Sequence, residues 1–219
     1  MKDWSQMEPK IIDLSHTIVA DMPQWPGDDQ PLKLHRRSMH AESTHMSSSL
    51  EFGCHVGTHI DAPLHFLAGQ QGIDEIPLSH FMGPGLVIRC GDGERTEPLA
   101  AELLAKVDLT GVDFVIFDTQ WSQYWGSSRY YERWSYLSPE LAAALAKSGL
   151  KGVGLDTPSL DPYHAQIAHD ICAPAGMINI ENLTNLQALP DRGFQLQVVP
   201  LKLDQTEASP VRALAILES

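Results

Sequence analysis

The 219-residue sequence is poor in cysteine, in basic residues and in long apolar runs. Its three cysteines are scattered and include no C-x-x-C pair, which fits reduced thiols better than a disulfide framework. Fifteen Lys and Arg against 28 Asp and Glu give a formal net charge of -13, which argues against a nucleic-acid partner. No stretch approaches the ~20 apolar residues of a membrane helix, and the N-terminal residues hold no apolar run of signal-peptide length. We therefore expect a cytoplasmic protein that binds neither nucleic acid nor membrane.

The composition that remains is that of an ordinary globular protein. Hydrophobic residues make up 43% of the chain and charged residues 20%. This length can bury a sizeable core, so we expect one domain over residues 1–219 that folds without disulfides or a structural metal. No G-x-S-x-G elbow, P-loop or G-x-G-x-x-G motif occurs, so serine-hydrolase, nucleotide-triphosphatase and dinucleotide-binding functions lack support.

Apolar runs and helical patterns alternate in the middle of the chain. Strands are predicted at residues 85–90, 113–119, 151–157, 176–181, 194–202 and 211–218. Helices are predicted at residues 98–107, 138–149 and 163–172. Ser138 is a suitable N-cap for the second helix, and Pro174 and Gly176 would end the third. Because the two ends of the chain show strands without intervening helices, we predict a mixed α/β domain rather than a purely parallel, doubly wound sheet.

One segment, CHVGTHIDAPLHF at residues 54–66, concentrates side chains that bind metals or move protons. Alternation along a strand would bury Cys54 with its apolar neighbours and place the polar side chains on the opposite face. These polar side chains are His55, His59, Asp61 and His65. The spacing of the first two histidines also suits a helix, but glycine, β-branched residues and proline within the segment argue against one.

A metal site in this segment requires a bend in the chain. In a straight strand His55 would lie ~13 Å from His59, and Gly57 is the residue able to supply the bend. Two imidazoles and a carboxylate suit Zn²⁺, Mn²⁺ or Fe²⁺ and leave positions open for water. The alternative is a strand end with solvated histidines. Four such residues of one parity around a glycine favour the metal site.

The sequence HVGTHIDAPLH matches H-x-G-T-H-x-D-x-P-x-H, the hallmark of the cyclase family of metal-dependent hydrolases, which includes bacterial kynurenine formamidases and isatin hydrolases. The flanking segments IIDLSHTI, MPQWPGD, HDICAPAGMINIENLTNLQALP and SPVRALA also resemble this family. The resemblance implies a swivelling, layered β/β/α fold, assembled as a homodimer or homotetramer.

The resemblance also implies roles for individual residues. Ligands of one or two divalent ions, Zn²⁺ or Mn²⁺, would be His55, His59, Asp61, His169 and Glu181, with the aspartate bridging. His65 would be the catalytic acid and base, and Trp25 would line the substrate pocket, in some members from the neighbouring subunit. The residues themselves say less about His169, because the helical pattern turns Ile167 and Ile171 toward the core and leaves this histidine off that stripe.

The chemistry implied is hydrolysis of an amide or lactam bond in a small, aromatic substrate such as N-formylkynurenine or isatin. Two alternatives stay open: an arylformamidase of tryptophan catabolism specifically, or a member that binds metal or ligand without turnover. Residues 121–136 hold seven of the 16 aromatic residues and could form a loop over the active site, a subunit interface, or both. His16 could hydrogen-bond behind the metal ligands or be purely structural.

Overall fold

The structure is a computed structural model that describes residues 10–27, 32–105 and 107–217. The strands of this part are β1 (Ile11–Asp13), β2 (Lys33–Ser38), β3 (Ser47–Glu51), β4 (His59–Asp61), β5 (Met82–Arg89), β6 (Phe114–Asp118), β7 (Gly152–Leu155), β8 (Ile178–Glu181), β9 (Phe194–Gln197), β10 (Ala208–Pro210) and β11 (Leu214–Leu217). The α-helices of the same part are α1 (Pro139–Ala146) and α2 (Ile167–Cys172). Short 3-10 helices include Pro63–His65, Ala101–Leu103, Trp121–Tyr124 and Ser128–Tyr131. Across these ranges, no helix is long and apolar enough to traverse a bilayer.

Nine of the described strands form one sheet in the order β1-β11-β9-β5-β6-β7-β8-β4-β10. The central strands β5 to β8 run parallel, and the strands on both sides pair antiparallel. Strands β2 and β3 form a separate antiparallel hairpin. The predicted mixed α/β fold is therefore confirmed, and α1 and α2 both lie in connections between parallel strands, where a crossover is required.

The sheet is apolar on both faces, as the near-continuous hydrophobic run of its central strands predicts. Val115 and Phe117 of β6 pack in a core that includes the buried residues of α1 and α2. Phe114 and Ile116 of the same strand face a second core, which is shared with β1, β4, β9 and β11. Because strands from both ends of the sheet contribute to this second core, the sheet curls around it.

All six predicted strands are present, most of them shorter than predicted, and α1 lies within the predicted residues 138–149. Ser138 caps α1 by accepting a hydrogen bond from the backbone N–H of Leu141 at 3.2 Å. The prediction of a helix at residues 98–107 is wrong. The backbone N–H of Leu99 donates to Tyr136, and its carbonyl accepts from the N–H of Ser138, so this segment starts in a strand-like bridge and forms one 3-10 turn.

The third predicted helix is also shorter, and its buried face was predicted wrongly. It begins at Ile167, which is 53% exposed, whereas His169 is 2% exposed and faces the interior. Asp161 explains this orientation, because its carboxylate accepts hydrogen bonds from the N–H groups of Ala168 and His169 and so fixes the first turn. His164 has φ 66°, a left-handed conformation that a helix over residues 163–172 does not allow.

The strand predicted to lead into residues 54–66 is present but shorter, and its buried face was predicted correctly only at Val56. Strand β3 ends at Glu51, and Leu50 within it is 53% exposed. The β2–β3 hairpin stands apart from the main sheet, and the core covers neither of its faces. The alternation of apolar and polar residues along β3 therefore does not indicate which side chains are buried. Cys54 is half-buried, not buried as the strand parity predicted.

Candidate metal centre

Strand β4 delivers two of the predicted ligands to one side of the sheet. Gly57 precedes it with φ +65°, which confirms the predicted bend. Within β4, Ile60 points into the curled core, so His59 and Asp61 must point to the other face. Strand β8 pairs antiparallel with β4, and its last residue, Glu181, lies directly opposite His59. Sheet register therefore places three polar side chains at one point.

The first ligand group consists of His55, His59 and Asp61, whose nearest ligand atoms all lie within 4.8 Å of one another. Nδ1 of His55 is 2.9 Å from Oδ1 of Asp61, and Nε2 of His59 is 3.5 Å from the same oxygen. The bend at Gly57 thus brings His55 back to the strand that follows it.

The second group joins Asp61 to His169 and Glu181, again with ligand atoms within 4.8 Å. Nε2 of His169 is 3.8 Å from Oδ2 of Asp61 and 3.4 Å from Oε1 of Glu181. The two oxygens of Asp61 therefore face different groups: Oδ1 faces His55 and His59, and Oδ2 faces His169. All three side chains of the second group are buried.

The candidate ligand His59 is held by a chain of buried hydrogen bonds. Its Nδ1 lies 2.9 Å from the carbonyl oxygen of Gly57, which also accepts a bond from the side-chain amide of Asn182 at 2.8 Å. The hydroxyl of Tyr130 donates to the amide oxygen of Asn182 at 2.7 Å. A proton on Nδ1 leaves Nε2 free to bind an ion, so this chain sets both the tautomer and the orientation of the ring.

The candidate ligand His169 is held by a separate hydrogen bond. Its Nδ1 lies 2.7 Å from Oδ2 of Asp161, which directs Nε2 toward the carboxylates of the site. The indole N–H of Trp134 donates to the backbone carbonyl of Asp161 at 2.9 Å. Together with Tyr130, this contact shows that the aromatic segment 121–136 lies behind both ligand groups.

A carboxylate outside both groups, Glu207, contacts the candidate ligand His55. Oε1 of Glu207 lies 3.4 Å from Nε2 of His55, on the side of the ring opposite Asp61. The backbone carbonyl of Glu207 accepts a hydrogen bond from the N–H of Ala62 at 2.8 Å, which ties this residue to the end of β4. His55 is thus placed between two acidic side chains.

The arrangement fits a divalent cation. Nε2 of His59 is buried and has no hydrogen-bond partner among the described residues, although carboxylate oxygens of Asp61 and Glu181 lie within 3.5 Å. Oδ1 of Asp61 likewise makes no well-directed hydrogen bond there. Buried polar atoms are rarely left unpaired, and atoms aimed at a common point rather than at each other are what a metal site requires. The donors, imidazole nitrogen and carboxylate oxygen, are those of Zn²⁺, Mn²⁺ and Fe²⁺ sites.

The protonation of the site supports the same fit. Burial on its own lowers the pKa of His55, but the negative charge of Asp61, 2.9 Å away, raises it to about 11. Burial likewise lowers the pKa of His169, whereas hydrogen bonds to Asp161 and Glu181 raise it to about 10. Without an ion, protons on these imidazoles balance the buried carboxylates, and a bound cation would take their place.

His65 belongs to neither of the two ligand groups that the described residues form. It ends the 3-10 helix Pro63–His65, and its ring centroid lies 4.3 Å from that of His55. Burial lowers the pKa of His65, partly offset by the charge of Asp61. The side chain lines a cavity of about 650 Å³ that also exposes the ligands. The structure thus places this histidine beside the centre, at the surface that a substrate would reach.

Aromatic side chains form the walls of this cavity. Trp25 is 39% exposed, with its ring stacked on Tyr163 at 5.3 Å and edge-on to Tyr131 at 5.9 Å. The ring of Phe66 lies 4.1 Å from that of His169. The cavity thus has the size and the apolar lining that are typical of small-molecule pockets.

The aromatic segment 121–136 is mostly a small core rather than a loop over the site. Trp121, Tyr130 and Trp134 are buried together, and Tyr131 lines the cavity. His16 stacks on Trp125 at 4.0 Å, outside both ligand groups, and burial lowers its pKa to about 4.

Sequence reasoning missed the supporting residues. Asp161, Asn182 and Glu207 are ordinary polar residues in the sequence, and no spacing links them to the histidines. Only the position of Asn182 directly after Glu181 gave a signal, because neighbours of a ligand often orient other ligands.

Comparison with known proteins agrees with this geometry. The Cyclase family model matches residues 12–162. A kynurenine formamidase of Salinibacter ruber is 32% identical over 208 residues, covering 93% of this chain and 96% of that protein. Isatin hydrolase A of Labrenzia aggregata, solved with benzyl benzoate bound, superposes with a TM-score of 0.86 at 27% identity, over 96% of this chain and 94% of that chain. A protein of Bacillus stearothermophilus described as a predicted metal-dependent hydrolase has a TM-score of 0.76 at 26% identity, over 95% and 98% of the two chains. The chain therefore belongs to the cyclase family, and it is a metal-dependent hydrolase.

Proposed function

We propose that this protein hydrolyses the amide or lactam carbon–nitrogen bond of a small aromatic substrate, with N-formylkynurenine and isatin as the first compounds to test. One observation carries the proposal: four candidate ligand side chains converge on a fifth, Asp61, at an aromatic-walled cavity, with His65 beside them and in neither ligand group. Relatives that are a kynurenine formamidase and an isatin hydrolase support this substrate class. Both names imply a carbonyl attached to the nitrogen of a planar aryl group.

The ligand set divides the work of the reaction. His55, His59 and Asp61 would hold a divalent ion, with or without a second held by Asp61, His169 and Glu181, and this would supply Lewis acidity and a nucleophile at neutral pH. We assign Zn²⁺ or Mn²⁺, because imidazole and carboxylate donors suit both. In the overall reaction the carbon–nitrogen bond breaks, and one water molecule supplies a hydroxyl to the carbonyl carbon and a hydrogen to the leaving nitrogen.

His65 moves the proton in this proposal. Its ring nitrogen accepts a proton from the attacking water and returns it to the leaving nitrogen, as an imidazole does in general acid–base catalysis. The rings of Phe66 and Trp25 orient the aryl group and exclude bulk water from the site.

The test is hydrolysis by the purified protein with metal content measured in parallel. The protein is assayed with formamides, lactams and aryl esters as isolated, after chelation, and after reloading with Zn²⁺ or Mn²⁺. We expect chelation to abolish hydrolysis and one of the two ions to restore it. A metal-loaded protein that hydrolyses none of these compounds would instead indicate a member that binds metal or ligand without turnover.

We also infer a homodimer or homotetramer. The β2–β3 hairpin supports this, since a two-stranded sheet is marginal on its own and this one exposes Met39, Met46 and Leu50. Light scattering coupled to size-exclusion chromatography tests the inference, and a monomer at assay concentration would contradict it. The free thiols of all three cysteines support a reducing compartment such as the cytoplasm.

A further inference from the structure

We propose that Asn179 is a further donor to an ion held by Asp61, His169 and Glu181, and that its amide oxygen makes this position favour Mn²⁺ over Zn²⁺. This role rests on the proposed function for the presence of an ion in the second ligand group, and it is independent of the substrate. It adds an amide to a group that otherwise consists of one imidazole and two carboxylates.

The register of β8 places Asn179 beside the second ligand group. Asn179 lies directly opposite Asp61 in the antiparallel pair of β8 and β4. Ile178 and Ile180 of β8 point into the curled core. Because side chains alternate along a strand, Asn179 and Glu181 must point to the other face, which is also the face of Asp61.

Four polar positions thus form a square on one face of two paired strands. His59 opposes Glu181 at one end, and Asp61 opposes Asn179 at the other. Directly opposed residues have Cβ atoms ~5 Å apart, and alternate residues along one strand are ~6.6 Å apart. Three corners of the square are candidate ligands, so an amide at the fourth lies within reach of an ion that the two carboxylates share.

The amide of Asn179 is buried without a partner for its oxygen. Asn179 is 4% exposed, and its Oδ1 accepts no hydrogen bond within the described part of the chain. Asn182, which is 2% exposed, shows the contrast, because its amide donates to Gly57 and accepts from Tyr130. A buried polar oxygen without a partner is costly and rare. A cation in the second ligand group would supply the partner that Asn179 lacks.

The position of Asn179 also argues against contact with a substrate. Asp61, His169 and Glu181 line the cavity, whereas Asn179 does not. The amide therefore lies behind the side chains that a substrate would meet. An ion held by those side chains is the group that this amide could contact.

The amide changes the balance of donors between the two ligand groups. The first group offers two imidazoles and one carboxylate. With Asn179, the second group offers one imidazole, two carboxylates and one amide oxygen. Carboxylate and carbonyl oxygens suit Mn²⁺, whereas imidazole suits Zn²⁺. The second group should therefore prefer Mn²⁺ more strongly than the first group does.

Calorimetric titration of the metal-free protein with Mn²⁺ and with Zn²⁺ tests this role, and we expect two ions per chain. Asn179→Val removes the amide and leaves a residue that suits a strand. This variant should bind the second Mn²⁺ at least ~10-fold more weakly, with a smaller loss for Zn²⁺ and no change for the first ion. Because an unpaired oxygen is removed, Tm of the metal-free variant should be unchanged or higher.

Three results would overturn the proposal. The first is an unchanged affinity of Asn179→Val for the second Mn²⁺. The second is an equal loss for the two metals, which would mean that Asn179 orients other ligands instead of donating to the ion. The third is a wild-type protein that binds one ion per chain.

Two further variants keep the test decisive if Asn179→Val folds poorly. Asn179→Asp retains the size of the side chain and adds a negative charge, so it should bind the second Mn²⁺ at least ~10-fold more tightly. Wild-type affinity in this variant would contradict the proposal. Ile178→Val is the matched control, since it lies on the same strand and faces the core. It should lower Tm and leave both affinities unchanged.

Failure of the proposed function gives a different result. If no amide or lactam is hydrolysed, the enzymatic proposal fails, and the metal titrations still decide the role of Asn179. If hydrolysis is observed and the affinity for Mn²⁺ does not depend on Asn179, the role of this residue alone is wrong.

Discussion

The two ligand groups meet at Asp61 but are assembled in different ways. His55, His59 and Asp61 come from one short segment, and a single bend at Gly57 brings them together. His169 and Glu181 come from α2 and β8, and reach Asp61 only because Asp161 caps the helix and β8 pairs with β4. A local group of this kind depends on backbone conformation, whereas the distant group depends on tertiary packing, so different substitutions should damage each of them.

The largest effect should follow from removing the residue that the two groups share. Asp61→Asn takes a carboxylate from both, and we expect kcat/KM to fall at least ~10³-fold, because the ion supplies several kcal/mol of transition-state stabilisation. Elemental analysis should show loss of metal. Glu181→Gln is the contrast, since Glu181 belongs to the distant group, although its Oε2 also lies 3.4 Å from Nε2 of His59. If the Asp61→Asn variant bound as much metal as the Glu181→Gln variant, the conclusion that both groups share Asp61 would be wrong.

His65 separates catalysis from metal binding within the local segment. His65→Ala should lower kcat by about 10²-fold and leave metal content unchanged, because the side chain moves protons and belongs to neither ligand group. Steady-state kinetics with parallel elemental analysis checks this. A metal-loaded variant with full activity would rule out the proton-transfer role.

A smaller effect tests the support of the local group. Tyr130→Phe removes only the hydroxyl that holds Asn182, and we expect metal affinity to fall about 10-fold, the lower end for residues that orient a ligand. Competition with a chelator measures the affinity. Tyr124→Phe is the matched control, because its hydroxyl bonds to the exposed Glu94. Reduced thermal stability with unchanged affinity would mean that Tyr130 is structural only.

The smallest effect concerns pH and the metal-free protein. The pKa values of His55 and His169, about 11 and about 10, lie above the ordinary 6.5, so their protons stabilise the folded state fully below pH 6.5. That stabilisation is lost as pH rises through 10. We expect Tm of the chelated protein to drop by about 4 °C or more between pH 7 and pH 10, and that of the loaded protein to drop less. Parallel Tm curves with and without metal would contradict the assignment.

The local group was predictable because its spacing carries the information. Parity and one glycine pointed to His55, His59 and Asp61, and the apolar runs of the central strands located the parallel part of the sheet. The distant ligands could be named only from the family resemblance. His169 was misplaced by its helical pattern, because the capping bonds of Asp161 outweigh the preference of Ile167 for burial.

The helix predicted at residues 98–107 failed for a similar reason. Leu99 in this segment instead forms a parallel β-bridge with Leu137. Local helix propensity does not predict a contact between residues so far apart in the sequence. The supporting residues Asn182 and Glu207 were missed because they contact the candidate ligands only in the folded chain. No spacing in the sequence reveals these contacts.

The pairing of β4 with β8 links strand register to metal binding. His59 stands directly opposite Glu181, with Ile60 opposite Ile180. A slip of one residue would turn an isoleucine toward the candidate metal centre and a candidate ligand toward the apolar core. Metal binding would thus report strand register, because only chains with the correct pairing could bring Glu181 to His59 and Asp61.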